Sequence, residues 1–370
     1  MTKPAVNLLW CSPGRVGGSE QYLVRQLVGL SDDVIDELGV PTLYCPPAFA
    51  KAHPDLEARF DLVAAPVDGD RRAVRVVAEH LWLARRTQQH SLVHHGGGTA
   101  PAFGGNPIVL TIHDLQYETY PEYLHPVKLR YLRAAMPRSV ARSSAIAVPT
   151  EYVKQTVVNR FDIDSERVHV VPHGVEPDLG KAAPSAGALR ARYGLGVGPV
   201  VVLPAITHPH KGHRFVLDVL ARHWTDPDLR LLLLGGRGSA DDAVESAIDE
   251  LGVRSRVVRP GRVPDADRDG LIQLADALVF PSEYEGFGAP VVEAMAMGTP
   301  VVCSDQAALD EVVGDAGLVL PRNADAWATA LDEVGRRRVE LVAAGRRRAL
   351  NFTAERSGAA LAEVYRTVVA

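Results

Sequence analysis

Short apolar runs rich in β-branched residues alternate with longer helical patterns along the whole chain. That alternation constrains the fold more than any other feature. Strands of about five residues joined through helices must lie parallel, and a parallel sheet has to be covered on both faces. In the first half the strand-like runs are "VNLLW" (6–10), "PTLYC" (41–45), "DLVAA" (61–65), "SLVHH" (91–95), "PIVLTI" (107–112), "AIAVP" (145–149) and "RVHVVP" (167–172). Helical stretches at 19–30, 71–88, 123–139 and 150–160 lie between them. The pattern then restarts with "PVVVLP" (199–204), "RLLLLGG" (230–236), "RVVRP" (256–260), "ALVFPS" (277–282), "PVVCS" (300–304) and "GLVLP" (317–321).

This is the signature of an α/β protein with two Rossmann-like, doubly wound domains. Residues 1–180 are expected to form the first and 199–352 the second. The Gly-, Ala- and Pro-rich segment 181–198 reads as a linker. Residues 353–370 form a separate amphipathic helix, expected to cross back to the first domain. Ligands of such sheets sit at the carboxyl ends of the strands, where the glycine-rich and polar loops of both halves fall. A cleft between facing domains is therefore the expected site.

Composition narrows the function classes. Apolar residues make up 46% and charged residues 23% of the chain, as in a water-soluble globular protein. Residues 1–180 carry 18 Lys and Arg against 20 Asp and Glu, and residues 181–370 carry 22 against 25. Neither half has the basic excess of a nucleic-acid binder. Cys11, Cys45 and Cys303 are odd in number and sit in or beside apolar runs, so buried free thiols are expected. The N-terminal apolar run is too short for a signal peptide, and no run of about 18 apolar residues could span a membrane. The chain reads as cytoplasmic.

The stretch "FPSEYEGFGAPVVEAMAMGTPVV" (280–302) carries the chemistry. Pro290 suits the first position of a helix running to Gly298, which puts Glu285 in the loop and Glu293 on the first turn. The backbone amides of Gly286, Phe287, Gly288 and Ala289 then meet a positive helix end, which favours an anion. A carboxylate can accept two sugar hydroxyls, so two of them beside an anion site suit a nucleotide diphosphate-sugar. The plainer alternative is that both acids only cap and solvate a helix start.

Four further loops stand at strand ends. In "PAITHPHKGH", Lys211 could neutralise a diphosphate, with His210 and His213 beside it; a lone solvated lysine is the alternative. In "TIHDLQYETYPE", His113 and Asp114 follow a strand directly, unless Asp114 merely caps a turn. "CSPGRVGGSE" sets Gly17 and Gly18 at a helix start, another anion-favouring element. "LVHHGGGTAP" offers His94 and His95. Neighbours on a strand point to opposite faces, so an acceptor-side loop is preferred to a metal site. The Asp-x-Asp triplets at 162/164, 226/228 and 265/267 lie in turn-like segments and read as no Mg²⁺ site. The arginine-bearing apolar stretches 71–86 and 128–142 could lie on an anionic membrane surface, or be ordinary solvated faces.

Glu285-x7-Glu293 in its surroundings resembles the signature of the retaining nucleotide-sugar glycosyltransferases of the GT-B fold, the group 1 family that includes bacterial mannosyl- and glucosyltransferases. A weaker likeness extends over the whole chain. The resemblance implies that Glu285 contacts hydroxyls of the transferred sugar and Glu293 the ribose, with Gly286, Phe287 and Gly288 lining sugar and phosphates. It assigns Lys211 to the pyrophosphate and His113 to the donor sugar, and it places the Gly17–Gly18 turn near donor phosphate and acceptor. It implies no metal or other cofactor. Many relatives carry an Arg where this chain has Ile206; His210, Arg214 or Arg237 are the expected stand-ins. The likeness is greatest to the mannosyltransferase-like members, which points to GDP-mannose over a UDP-sugar, with a glycan or lipid-linked acceptor. A phosphorylase of the same fold, or a non-catalytic nucleotide-sugar-binding subunit, stays open. A nicotinamide oxidoreductase lacks its G-x-G-x-x-G fingerprint.

Overall fold

The computed structural model describes residues 3–13, 18–69 and 71–369. The chain divides into two compact units, one of Met1–Gly174 with Thr353–Ala370, the other of Val175–Phe352.

The first unit holds a parallel sheet of β1 (Ala5–Asn7), β2 (Thr42–Cys45), β3 (Asp61–Ala64), β4 (Val93–His95), β5 (Ile108–Thr111), β6 (Ala145–Val148) and β7 (Val168–Val170). Their order is β3-β2-β1-β4-β5-β6-β7. Strands β2 to β7 fall within the apolar runs of the sequence, while β1 begins one residue before its run 6–10 and ends at Asn7. Sequence order reverses between β1 and β4, so the loops after these two strands flank the switch point of the sheet.

The second unit repeats the plan with β8 (Val200–Pro204), β9 (Arg230–Leu234), β10 (Val257–Gly261), β11 (Ala277–Phe280), β12 (Val301–Ser304) and β13 (Leu318–Leu320). The order is β10-β9-β8-β11-β12-β13, with the switch point between β8 and β11. Strand period two divides the core. Val200 and Val202 join one apolar layer with Leu278 and Val291, whereas Val201 and Leu203 join the opposite layer with Val216 and Trp327. Both faces are covered, which is why these runs are continuously apolar rather than alternating.

Three expectations need adjustment. The segment 181–198 is not a bare linker: it contains the helix Ala186–Tyr193, whose start Ser185 caps by accepting from Ala188 N. Leu189 of that helix is fully buried against the second core, and this burial outweighs the Gly-rich flanks. The first boundary falls at 174 rather than 180, because Val175 already bonds Phe352 O and packs in the second core. The helical stretch 71–88 is a helix over Arg72–Ala78 that widens into a π turn at Glu79–Leu83 before Ala84–Arg86.

The helix Ala354–Val369 packs in the first unit, as expected. It buries Leu361, Ala362, Val364 and Tyr365 and lies against the helix Gly18–Val28. The approach is close enough that a Cβ on Gly358 would stand 2.2 Å from the backbone carbon of Gly29. Tyr365 OH also bonds His94 Nδ1 at 2.8 Å. Cys11, Cys45 and Cys303 are buried free thiols.

Candidate functional site

In the second unit, two loops meet at the switch point between β8 and β11. After β8 the chain makes a 3₁₀ turn at Pro209–Lys211 and leaves it through Gly212 at φ 71°. Only a glycine serves there: a Cβ would lie 2.4 Å from Pro281 O in the loop after β11. Glu283 N donates to His210 O at 2.8 Å and ties the loops further. That pairing delivers Lys211 Nζ to Glu285 Oε1 at 2.6 Å, both side chains mostly buried. The same ammonium stands 5.5 Å over the Phe280 ring.

The helix after β11 runs Ala289–Met297 and ends at Gly298, as the sequence suggests. It starts at Ala289, so Pro290 is its second residue and Glu293 belongs to the second turn, not the first. Gly288 occupies the N-cap position and no side chain caps the first turn. The positive end of the helix therefore opens beside the Lys211–Glu285 pair. Glu293 is 6% exposed, with Arg268 Nη2 3.9 Å from its Oε2; Arg268 itself bonds Asp269 at 2.8 Å.

Arg268 is the residue that sequence reasoning missed. It sits inside "DADRDG", a segment read only for its aspartates. Of those, Asp267 bonds Arg192 and Tyr193. The stand-ins expected for the absent Arg at 206 each have a setting of their own. Arg214 pairs with Asp218 and Glu250, and Arg237 with Asp241 and Asp242. Burial and then the Lys211 charge push the His210 imidazole down to about 3, so it is neutral at ordinary pH. His213 is likewise held down, to about 4, chiefly by burial.

In the first unit, His113 follows β5 and its Nε2 lies 2.9 Å from Gly96 O, in the loop after β4. A carbonyl only accepts, so Nε2 carries the proton and Nδ1 keeps a lone pair. The ring packs against Trp10 and Tyr22, at centroid separations of 6.0 and 5.4 Å. Burial lowers its pKa, with the Gly96 bond and Asp114 pulling the other way. Asp114 also makes the turn foreseen as the alternative, accepting from Gln116 N at 2.9 Å.

The histidines after residue 93 do not join His113. His94 Nε2 bonds Thr111 Oγ1 at 2.7 Å, on the face that holds Tyr365. His95 points the other way, its Nδ1 accepting from Asn7 Nδ2 at 3.0 Å, and Asn7 also reaches Glu79. His95 is only 4% exposed, and burial drives it down to about 3. Gly18 begins the helix Gly18–Val28, and Glu20 pairs with His53 at 2.9 Å. Gly17 lies outside the described residues.

Two Rossmann-like units with charged and polar loops at their switch points define a protein of the GT-B architecture. Residues 16–179 match the family model described as Glycosyltransferase Family 4, and residues 198–336 that described as Glycosyl transferases group 1. Between them these take in most of the chain, which therefore carries a glycosyltransferase family 4 domain followed by a glycosyl transferases group 1 domain. Its relatives include the O-antigen chain mannosyltransferase B of Escherichia coli, 32% identical over 59% of this chain and 58% of the relative. Another is the MMP alpha-(1->4)-mannosyltransferase of Mycolicibacterium hassiacum, 30% identical over 72% of this chain and 66% of the relative. The matches thus span less than two thirds of these relatives. Among solved structures, Anabaena HepE in complex with UDP and glucose superposes with a TM-score of 0.77 at 18% identity, covering 99% of this chain and 100% of that one. WaaG, a glycosyltransferase involved in lipopolysaccharide biosynthesis, gives 0.72 at 18% identity over 96% and 98%. At such identities the likeness establishes the fold.

Proposed function

We propose that this chain transfers a hexose from a nucleotide diphosphate-sugar to a hydroxyl of a glycan or lipid-linked acceptor, with retention of the anomeric configuration. The observation that carries the reading is the Lys211–Glu285 contact of 2.6 Å at the β8/β11 switch point, beside an uncapped helix start. Lys211 and the amides of Gly286 to Ala289 stabilise the departing diphosphate electrostatically. Glu285 exchanges part of its bond to Lys211 for hydroxyls of the sugar, and Glu293 holds the ribose, with Arg268 fixing its carboxylate. His113 is neutral and presents Nδ1 as an acceptor, so it orients a sugar hydroxyl rather than supplying a charge. The chemistry needs no metal ion.

The relatives named as mannosyltransferases favour GDP-mannose as donor; the UDP complexes of HepE keep a UDP-sugar in view. Peripheral contact with an anionic membrane belongs to the proposal. Val74, Val77 and Leu81 lie exposed on the stretch 71–86, together with Arg71 and Arg85. Among the described residues no helix is long and apolar enough to cross a membrane.

The test is a thermal-shift panel of GDP, UDP, ADP and dTDP with the matching sugars, on the native chain and on Glu293→Ala. Stabilisation by one diphosphate, lost in the variant, identifies the donor base. Proton NMR of the transferred sugar then reads the anomeric outcome. No shift with any nucleotide overturns the proposal.

A further inference from the structure

In the second unit one guanidinium stands between two carboxylates. Arg268 and Asp269 are neighbours on the helix Asp265–Gln273, which packs against the helix Ala289–Met297 that carries Glu293. Arg268 donates from both Nε and Nη2 to a single oxygen of Asp269, Oδ1, at 3.0 and 2.8 Å. The same Nη2 lies 3.9 Å from Glu293 Oε2, beyond hydrogen-bond reach but near enough for attraction. Asp269 and Glu293 are both buried, and Arg268 is half-buried.

The second oxygen of Asp269 is engaged as well. Its Oδ2 accepts from Gly180 N at 3.3 Å. Gln273, one turn further along the helix, donates from Nε2 to Gly180 O at 3.3 Å. Gly180 takes φ 79°, and a Cβ there would lie 2.2 Å from Gln273 Nε2 and 3.0 Å from Met297 Sδ. Two helices close on this glycine, and the Asp269 carboxylate is held through both oxygens. It cannot swing after Arg268, so the guanidinium stays where Asp269 keeps it.

An unrestrained Arg268 would move. A guanidinium meets a carboxylate best as a bidentate fork at about 2.8 Å. Closing the remaining gap to Glu293 would spend on Arg268 the lone pairs that ribose hydroxyls need. At 3.9 Å the cation balances part of the Glu293 charge and takes no lone pair from it.

We infer that Asp269 is a positioning residue for the donor: it restrains Arg268, so that the guanidinium does not occupy the Glu293 carboxylate in place of the ribose hydroxyls. Asp269 itself touches no substrate. The inference rests on the ribose role proposed for Glu293.

Calorimetry on the full chain compares GDP, UDP and ADP with their 2′,3′-dideoxy forms, which lack the hydroxyls in question. The native chain should prefer the ribose form of its nucleotide about ten- to a hundredfold. In Asp269→Asn, isosteric but uncharged, Arg268 turns to Glu293 and the preference should fall by about fivefold or more. Asp269→Ala, which offers Arg268 no acceptor, is the second variant and should lose at least as much. R268Q/D269N removes the competing cation too and should recover most of the preference, which a merely structural loss at 269 would not do. Gln273→Ala breaks only a Gly180 contact and should leave the preference native. Circular dichroism checks that each variant is folded. A native preference in Asp269→Asn and Asp269→Ala overturns the inference, as does a preference lost equally in R268Q/D269N. A native chain that binds a nucleotide regardless of its hydroxyls also overturns it, while the donor reading stands. No binding of any of these nucleotides overturns the donor reading, and this inference with it.

Discussion

The two units share one topology but equip their switch points in opposite ways. At the β8/β11 point the side chains are charged and paired: Lys211 with Glu285, Arg268 with Asp269 and near Glu293. At the β1/β4 point and on the neighbouring β5 they are neutral and aromatic. Burial holds His94 and His95 at about 3 and lowers His113, which packs on Trp10 and Tyr22. One sheet end carries paired charges, the other neutral histidines packed among aromatic rings. Fold alone therefore does not set the chemistry of a Rossmann-like unit; the loops at its switch point do.

The largest expected effect tests that division directly. Glu285→Ala and Lys211→Ala should each lower the transfer rate by about 100- to 1000-fold, with Lys211→Ala also weakening nucleotide binding. His113→Gln should lower turnover while nucleotide affinity, read by calorimetry, stays native. A native affinity in Lys211→Ala would break the comparison.

A second change asks whether the units depend separately on the C-terminal helix. Gly358→Val drives a branched side chain into the backbone of Gly29 and should destabilise the first unit by about 3 kcal/mol in urea unfolding. The nucleotide-induced shift of the second unit should survive. Loss of both together would show that the units unfold as one.

Acid provides a third handle. His94 and His95 sit at about 3 in the folded chain, below the ordinary 6.5 of the unfolded one. The unfolded state therefore binds protons first as pH falls. Their stabilising contribution is complete above pH 6.5 and is lost progressively between there and about 3. Each adds at most about 1.4 kcal/mol per pH unit to the slope. His94→Gln should flatten the fall of Tm with acid; an unaltered slope would mean that His94 is not buried neutral. The smallest effect belongs to Arg192→Ala. It removes a solvent-exposed partner of Asp267 and should leave Tm within experimental error.

Much of this was legible in the sequence, unevenly. The central strands were plain because they are buried on both faces, and a continuous apolar run has few other uses. The Lys211 and Glu285 loops were legible because glycines, carboxylates and a lysine stand at strand ends. The Ala186–Tyr193 helix was hidden, since flanking glycines and prolines speak against it and only the burial of Leu189 decides it. The π turn at Glu79–Leu83 left no periodic trace.

What the sequence by itself determined is the doubly wound plan, its duplication and the loops that carry chemistry. These follow from local periodicity and from residue types at fixed offsets. Only the tertiary structure decided which charges meet. Glu285 pairs with Lys211 across 74 positions of chain, and Arg268 comes to Glu293. Spacing along the chain says nothing about those encounters, because they depend on how parallel strands bring distant loops to one end of a sheet.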